Sequence, residues 1–216
     1  MRGIGGLILA AGGSTRLGEP KQLITLHGET LVHAAVRAAQ EGGCDPVCVV
    51  TGHAGGAVAE AVADLCPLRV HNDEWPRGIG HSLRLGLAHL PPVSAVVILA
   101  CDQPAVTRDI VRALIEQHQQ SGCAIAAAHY AGTTGIPALF DAACFPELRE
   151  LPDDRGAKAV ILADPRRVTT VSFEAGAYDL DTPADLQARA GASASRRVPQ
   201  GPNPPPTHIR NRPDRR

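Results

Sequence analysis

A chain of 216 residues that is 44% hydrophobic can bury a sizeable core but is short for two ordinary domains. Three Phe, two Tyr and one Trp leave the core to Ala, Val, Leu and Ile, which suits parallel strands covered by helices and offers little for stacking on nucleic-acid bases. The formal charge of −1 hides an asymmetry: residues 191–216 hold six Arg against one Asp, so residues 1–190 carry about −6. That is a poor footprint for a polyanion, although a few local cations, loop amides and a metal can still hold one phosphorylated small molecule.

In chain order, Arg2 followed by apolar residues 4–11 has the outline of a secretory signal, but the stretch is minimal, is broken by Gly5 and Gly6 and runs straight into a glycine-rich loop; a first strand over Ile4–Ala10 is expected instead. Residues 30–41 form a helix candidate with Leu31, Ala34, Ala35 and Ala38 on one face and Gly42-Gly43 at its end, followed by strand-like runs at Val47–Thr51 and Ala95–Ala100. Thr107 before Ile110, Val111, Leu114 and Ile115, with Gly122 beyond, predicts a capped helix over 108–121. Further strands are expected at 124–129 and 168–171, and Thr182-Pro183 reads as the start of another helix. Strands alternating with helices mark a doubly wound α/β sheet. From about Gly191 the chain turns to Ser, Pro, Asn and Arg, a composition that predicts a disordered tail over 191–216 after a domain over 1–190. No apolar segment reaches the roughly 20 residues of a membrane span.

Six cysteines at 44, 48, 66, 101, 123 and 144 show no pair at zinc-knuckle or thioredoxin spacing. Buried reduced thiols are expected, as in a reducing compartment such as the cytoplasm.

The strongest motif follows the first strand: Leu9-Ala10-Ala11-Gly12-Gly13-Ser14-Thr15-Arg16-Leu17-Gly18-Glu19-Pro20-Lys21. A phosphate loop needs inward-pointing amides and no bulky Cβ, which Gly12 and Gly13 supply, while Arg16 and Lys21 add positive charge. The spacing is neither that of a Walker A loop nor that of the dinucleotide fingerprint, which disfavours a nicotinamide dehydrogenase. Asp102, in Cys101-Asp102-Gln103-Pro104, falls at the C-terminal edge of a strand, where open α/β sheets keep their ligands.

These motifs resemble the molybdopterin-type nucleotidyltransferases with a single Rossmann-like domain, and among them the molybdenum cofactor cytidylyltransferases; the resemblance runs from residue 4 to about 188. It implies a three-layer, mostly parallel, doubly wound sheet of the nucleotide-diphospho-sugar transferase type. It further implies that Leu9, Ala10, Ala11, Gly12, Gly13, Ser14, Arg16 and Lys21 bind the nucleotide, with Arg16 and Lys21 neutralising the triphosphate in catalysis. Asp102 would bind Mg²⁺ together with Asp181 of Tyr178-Asp179-Leu180-Asp181, where Asp179 is the nearby competitor and Asp181 could instead help cap the following helix. In the run from Trp75 to Leu83, Gly78, Gly80 and Ser82 would flank base and ribose, and His81 stands where the family often has a small residue. Gly135, Pro137, Arg155, Gly156 and Lys158 would line the acceptor pocket, although Arg155 and Lys158 also fit solvated charges at a helix start.

The Ala10-Ala11-Gly12 version of the loop goes with cytidine in such proteins. The expected partners are therefore CTP and molybdopterin or molybdenum cofactor, with a molybdenum hydroxylase or its maturation chaperone receiving the product, and neither nucleic acid nor membrane. The alternatives are a nucleotidyltransferase that uses GTP or a sugar-phosphate acceptor, and a molybdopterin-binding chaperone without turnover.

Overall fold

The computed structural model describes residues 3–13, 19–65 and 68–177. The expected helix start at Thr182, the tail, Ser14, Arg16, Asp179 and Asp181 lie outside the described residues.

The chain opens with β1 (Ile4–Ala10), a small hairpin of β2 (Thr25–Leu26) and β3 (Glu29–Thr30), and α1 (Leu31–Gly42). It continues through β4 (Val47–Thr51), α2 (Gly55–Glu60), β5 (Leu68–His71), α3 (Ile79–His89), β6 (Ala95–Ala100) and α4 (Arg108–Ser121). The antiparallel pair β7 (Ile125–Tyr130) and β8 (Thr133–Asp141) follows, then the short helices α5 (Phe145–Arg149) and α6 (Lys158–Ala163), and β9 (Val168–Ser172).

Among the described residues, seven strands form one sheet in the order β5-β4-β1-β6-β8-β7-β9. The pairs β1–β4, β1–β6, β4–β5 and β7–β9 are parallel, while β8 runs against both neighbours. Strand alternation sends Ile8, Val49, Val97 and Leu99 to one face and Leu7, Val50, Val96 and Ile98 to the other. Both faces are buried, so the strands read as continuous apolar runs rather than alternating ones. Val32, Val36, Val111 and Leu114 from α1 and α4 cover the first face, and Leu83, Leu87, Leu148 and Ile161 from α3, α5 and α6 the second. The result is the expected three-layer, doubly wound architecture.

The helix boundaries follow from their caps. The Thr30 hydroxyl accepts from the His33 amide, and Gly43 closes α1 in the left-handed conformation at φ 107°. Gly122 ends α4 in the same way, but the Thr107 side chain makes no cap bond. Of the expected apolar face of α1, Leu31, Ala35 and Ala38 are buried and Ala34 is half-buried. Val32, Val36 and Ala39 are fully buried besides, so the buried face is wider than expected, and the larger Val side chains remove more apolar area from water than Ala does.

Two sheet strands escape the sequence pattern. The edge strand β5 is four residues long with one buried side chain. β8 contains Gly135 and Pro137, and its pairing register with β7 slips between Ala127 and Ala128, so that Ala127 faces Ala138 and Ala128 faces Gly135. Pro is tolerated in a sheet at such a bulge, and there it disguises the strand.

Candidate active site

The chain moves from β1 to β4 and β5 on one side of the sheet and returns to β6 on the other side of β1. The crevice beyond the C-terminal ends of β1 and β6 is therefore a topological switch point. Both strong motifs open there, residues 11–13 after β1 and Cys101-Asp102-Gln103 after β6.

Between them lies a cavity of about 340 Å³, lined by Leu9, Ala11, Gly12, Lys21, Gln22, Trp75, Pro76, Gly78, Ile79, Ala100, Cys101 and Asp102. That volume falls at the lower end of the range for small-molecule sites. Lys21 begins a single 3-10 turn, and its Nζ lies 2.5 Å from Asp102 Oδ2, with the two side chains 19% and 21% exposed. Behind Asp102, burial pushes the Cys101 thiol up to about 12, with the Asp102 charge adding to the effect. That thiol stays neutral and acts as packing.

Gln22 holds the glycine loop. Its side chain is buried, and its Nε2 donates to the carbonyls of Ala10 at 3.1 Å and Gly12 at 2.6 Å. The His53 amide donates to the carbonyl between them, that of Ala11, at 3.1 Å. Three successive carbonyls, those of residues 10–12, are thus committed to protein donors, which fixes this start of the loop before any ligand arrives. No sequence motif for this role marks Gln22.

The opposite wall comes from the segment before α3. Asn72, buried, receives the Glu74 amide on its Oδ1 and donates from Nδ2 to the Ser82 hydroxyl at 2.9 Å. Asp153 accepts from Arg77 at 2.8 Å and also from Arg84, whose Nη1 reaches the Leu151 carbonyl. These two guanidinium groups, Arg84 first, hold the Asp153 carboxyl below its usual range. The clamp ties the 151–155 loop to the start of α3.

That arrangement alters the expected use of three residues. A Cβ on Gly80 would stand 2.1 Å from the Pro152 carbonyl oxygen, and one on Gly78 would stand 2.2 Å from that of Asp153. The smallness of Gly80 thus admits the 151–155 loop, while Gly78 meets both the loop and the cavity. Ser82 is buried with its hydroxyl engaged by Asn72. Neither Gly80 nor Ser82 lines the cavity, nor do Ala10 and Gly13. His81 has its Nε2 3.3 Å from Glu74, and its Nδ1 is buried without a hydrogen-bond partner.

None of the five expected acceptor residues is among those lining the cavity. Gly135 and Pro137 are buried within β8, whereas Arg155 and Lys158 are exposed. Gly156 lies against Ile79, and a Cβ on Gly135 would lie 4.0 Å from Lys158 Cδ and 2.9 Å from the Tyr130 hydroxyl. Gln103, beside Asp102 and buried, donates from Nε2 to the Ile136 carbonyl at 3.2 Å. This joins the Asp102 loop to the strand that carries Gly135 and Pro137, and it is a second link that the sequence reading missed.

A larger cleft of about 560 Å³ lies elsewhere, between α1, the hairpin and the start of α4. Its charged residues pair among themselves, Arg37 with Glu29 and Glu41, and Arg108 with Glu41 and Asp109. Among the described residues, neither residues 9–13 nor Asp102 line it, so its size does not make it the reaction site. Among the described residues no cluster of three or more His, Cys, Asp or Glu could hold a metal by itself. Asp102 still fits a hard cation of the kind that keeps waters and takes ligand phosphate oxygens alongside one or two carboxylates.

A glycine loop and an acid–lysine pair facing one another at the switch point of a doubly wound sheet define a nucleotide-handling α/β protein. The chain belongs to the family of the MobA-like NTP transferase domain, whose model matches residues 6–168; it is a nucleotidyltransferase. Its relatives include the purine catabolism protein PucB of Bacillus subtilis, 31% identical over 165 residues that cover 72% of this chain and 79% of PucB. The bifunctional protein GlmU of Caldanaerobacter subterraneus is 35% identical over 118 residues, and the match spans 25% of its length. Among solved structures, Rv0371c of Mycobacterium tuberculosis superposes with a TM-score of 0.75 at 31% identity, covering 87% of this chain and 97% of that one. A manganese complex of the same protein gives a TM-score of 0.72 at 28% identity, covering 88% and 99%.

Proposed function

We propose that this protein transfers CMP from CTP to the terminal phosphate of molybdopterin or molybdenum cofactor and releases pyrophosphate. The observation that carries the reading is the Lys21–Asp102 pair on the wall of a cavity bounded by the glycine loop. It puts a fixed cation and a metal-competent carboxylate side by side.

In the reaction an acceptor phosphate oxygen forms a bond to the α-phosphorus, and the α–β phosphoanhydride bond breaks as pyrophosphate leaves in line. No covalent enzyme intermediate is required, so the protein's work is to position two anions that repel each other and to stabilise charge as it builds. Lys21 directs its ammonium at the phosphates, joined by Arg16. Residues Leu9, Ala11 and Gly12 flank the nucleotide, with Gln22 holding the carbonyls of residues 10 and 12, and Gly78 and Ile79 line the same cavity. Arg155 and Lys158, on the exposed side next to β8, attract the acceptor's phosphate.

Asp102, with Asp181, would hold Mg²⁺, which when bound neutralises the triphosphate and polarises it toward attack. The manganese complex of the mycobacterial relative supports a divalent cation. At about 4 Å and an effective dielectric near 20, one charge pair is worth about 4 kcal/mol, so removing Lys21 or Asp102 should be felt strongly.

The test is to incubate the protein with each of the four nucleoside triphosphates, Mg²⁺ and either molybdopterin, its molybdenum form or a sugar phosphate, and to identify the product by mass. A cytosine dinucleotide of the pterin with equimolar pyrophosphate is expected. A guanine product or a nucleotide sugar would replace the assignment, and binding of molybdopterin without pyrophosphate release would make the protein a carrier.

A further inference from the structure

The Lys21–Asp102 pair on the cavity wall is accounted for by the proposed function; the aromatic and aliphatic part of the lining is not. Trp75, the chain's single tryptophan, belongs to that part. Its Cβ lies so near Gly52 that an added Cβ there would come within 2.7 Å, and its ring edge lies over Gly13, where an added Cβ would meet Cη2 at 2.7 Å. His53 meets the indole edge-on, with ring centroids 5.5 Å apart. The ring is thus wedged beside the glycine loop while still lining the cavity.

Ile79 lines the same cavity and is 44% exposed, one of two large hydrophobic side chains exposed to this degree among the described residues. An aliphatic group left open to water beside a tryptophan in a concave site is a surface awaiting a ligand.

We infer that Trp75 is the platform on which the base of the nucleotide stacks, with Ile79 covering the base from within the same cavity. The inference rests on the reading that this cavity takes a nucleoside triphosphate. Such a molecule has one highly charged end and one flat, uncharged aromatic end. The cavity offers the Lys21–Asp102 pair to the first and an indole to the second. Stacking tolerates any base, because every base has a π-face, so Trp75 supplies affinity and leaves base choice to other groups.

The single tryptophan makes the test direct. Emission of the wild-type protein is followed while Mg-CTP, Mg-GTP or Mg-tripolyphosphate is added, and affinities are measured by calorimetry for the wild type, W75F and W75L. Quenching by a nucleotide but not by tripolyphosphate is expected. W75L should weaken nucleotide binding about tenfold and tripolyphosphate binding by less than about twofold, with W75F staying within about threefold of the wild type.

An unchanged nucleotide affinity in W75L, or an equal loss of nucleotide and tripolyphosphate, would overturn the platform; in the second case the indole merely props the loop. The wild-type emission decides the question even where W75L does not fold. A wild type that binds tripolyphosphate and neither nucleotide also overturns the platform. Binding of GTP but not CTP overturns only the cytosine assignment of the proposed function, and W75L read on GTP then decides the platform.

Discussion

Lys21 and Asp102 stand 81 residues apart in sequence and 2.5 Å apart in space. Their side chains are about one-fifth exposed, so each charge depends on the other more than a surface pair would. Replacing Lys21 by Ala is expected to lower turnover by about two to three powers of ten, the scale of losing one fixed donor to a developing phosphate charge. Pyrophosphate release against protein concentration, together with a thermal melt showing that the fold survives, is the check; near-normal turnover would remove Lys21 from the mechanism. Asp102→Asn should leave only residual activity that no longer responds to Mg²⁺ concentration, because the neutral amide loses the charge a hard cation requires. A rate that still rises and saturates with Mg²⁺ as in the parent protein would reject Asp102 as a ligand. Neither partner's role depends on its immediate neighbours in sequence, yet both sit beside legible motifs. Gln22 had no such marker, since a glutamine two residues after a proline is common in loops and only its burial against two carbonyls reveals what it holds.

At the scale of elements, the site is built from ends. The C-terminal ends of β1 and β6 present the two motifs, and the N-terminal end of α3 is fixed by the Arg77–Asp153–Arg84 clamp and by Asn72. Gly80→Ala tests that assembly, because the new methyl would stand 2.1 Å from the Pro152 carbonyl oxygen, where backbone must move. A loss of about 1–3 kcal/mol is expected, typical of forcing extra volume into a packed contact, measured as a lower midpoint in urea. A variant as stable as its parent would mean that the 151–155 loop is not seated against α3 in solution. The elements also show where periodicity misleads. No strand was expected at β8 because Gly135 and Pro137 break the strand pattern, and the bulge that accommodates them is a property of the pairing with β7. The buried face of α1 includes the expected Leu31, Ala35 and Ala38 but extends to Val32 and Val36 against the sheet, leaving Ala34 at its margin.

Over the whole molecule, the ion pairs of the larger cleft link α1, the hairpin and α4. Glu29 is their centre: its carboxyl is held down from 4.5 to about 2, chiefly by the hydrogen bond from Arg37, with burial opposing and His33 assisting. A carboxyl whose pKa is lower in the folded than in the unfolded chain stabilises the fold fully above pH 4.5, and that contribution fades as pH falls toward 2. Arg37 is 45% exposed, and screening limits the pair to about 1 kcal/mol. Glu29→Gln should therefore cost about that much at pH 7 and almost nothing near pH 2, read from paired denaturation curves. An equal loss at both pH values would show that the effect is one of packing rather than charge.

The sequence by itself determined the alternation that gives a doubly wound sheet, the helix ends at Gly43 and Gly122, and the two motifs at the strand ends. Those are local signals, carried by side-chain period and by conformations that few residue types can adopt. Only the tertiary structure decided which motif residues face the cavity. Leu9, Ala11, Gly12, Lys21, Gly78 and Asp102 reach it, whereas Gly80 and Ser82 spend their small size and hydroxyl on holding the chain together. A glycine that admits a ligand and a glycine that admits another loop are identical in sequence, and the difference lies in what the fold brings to within a Cβ of each.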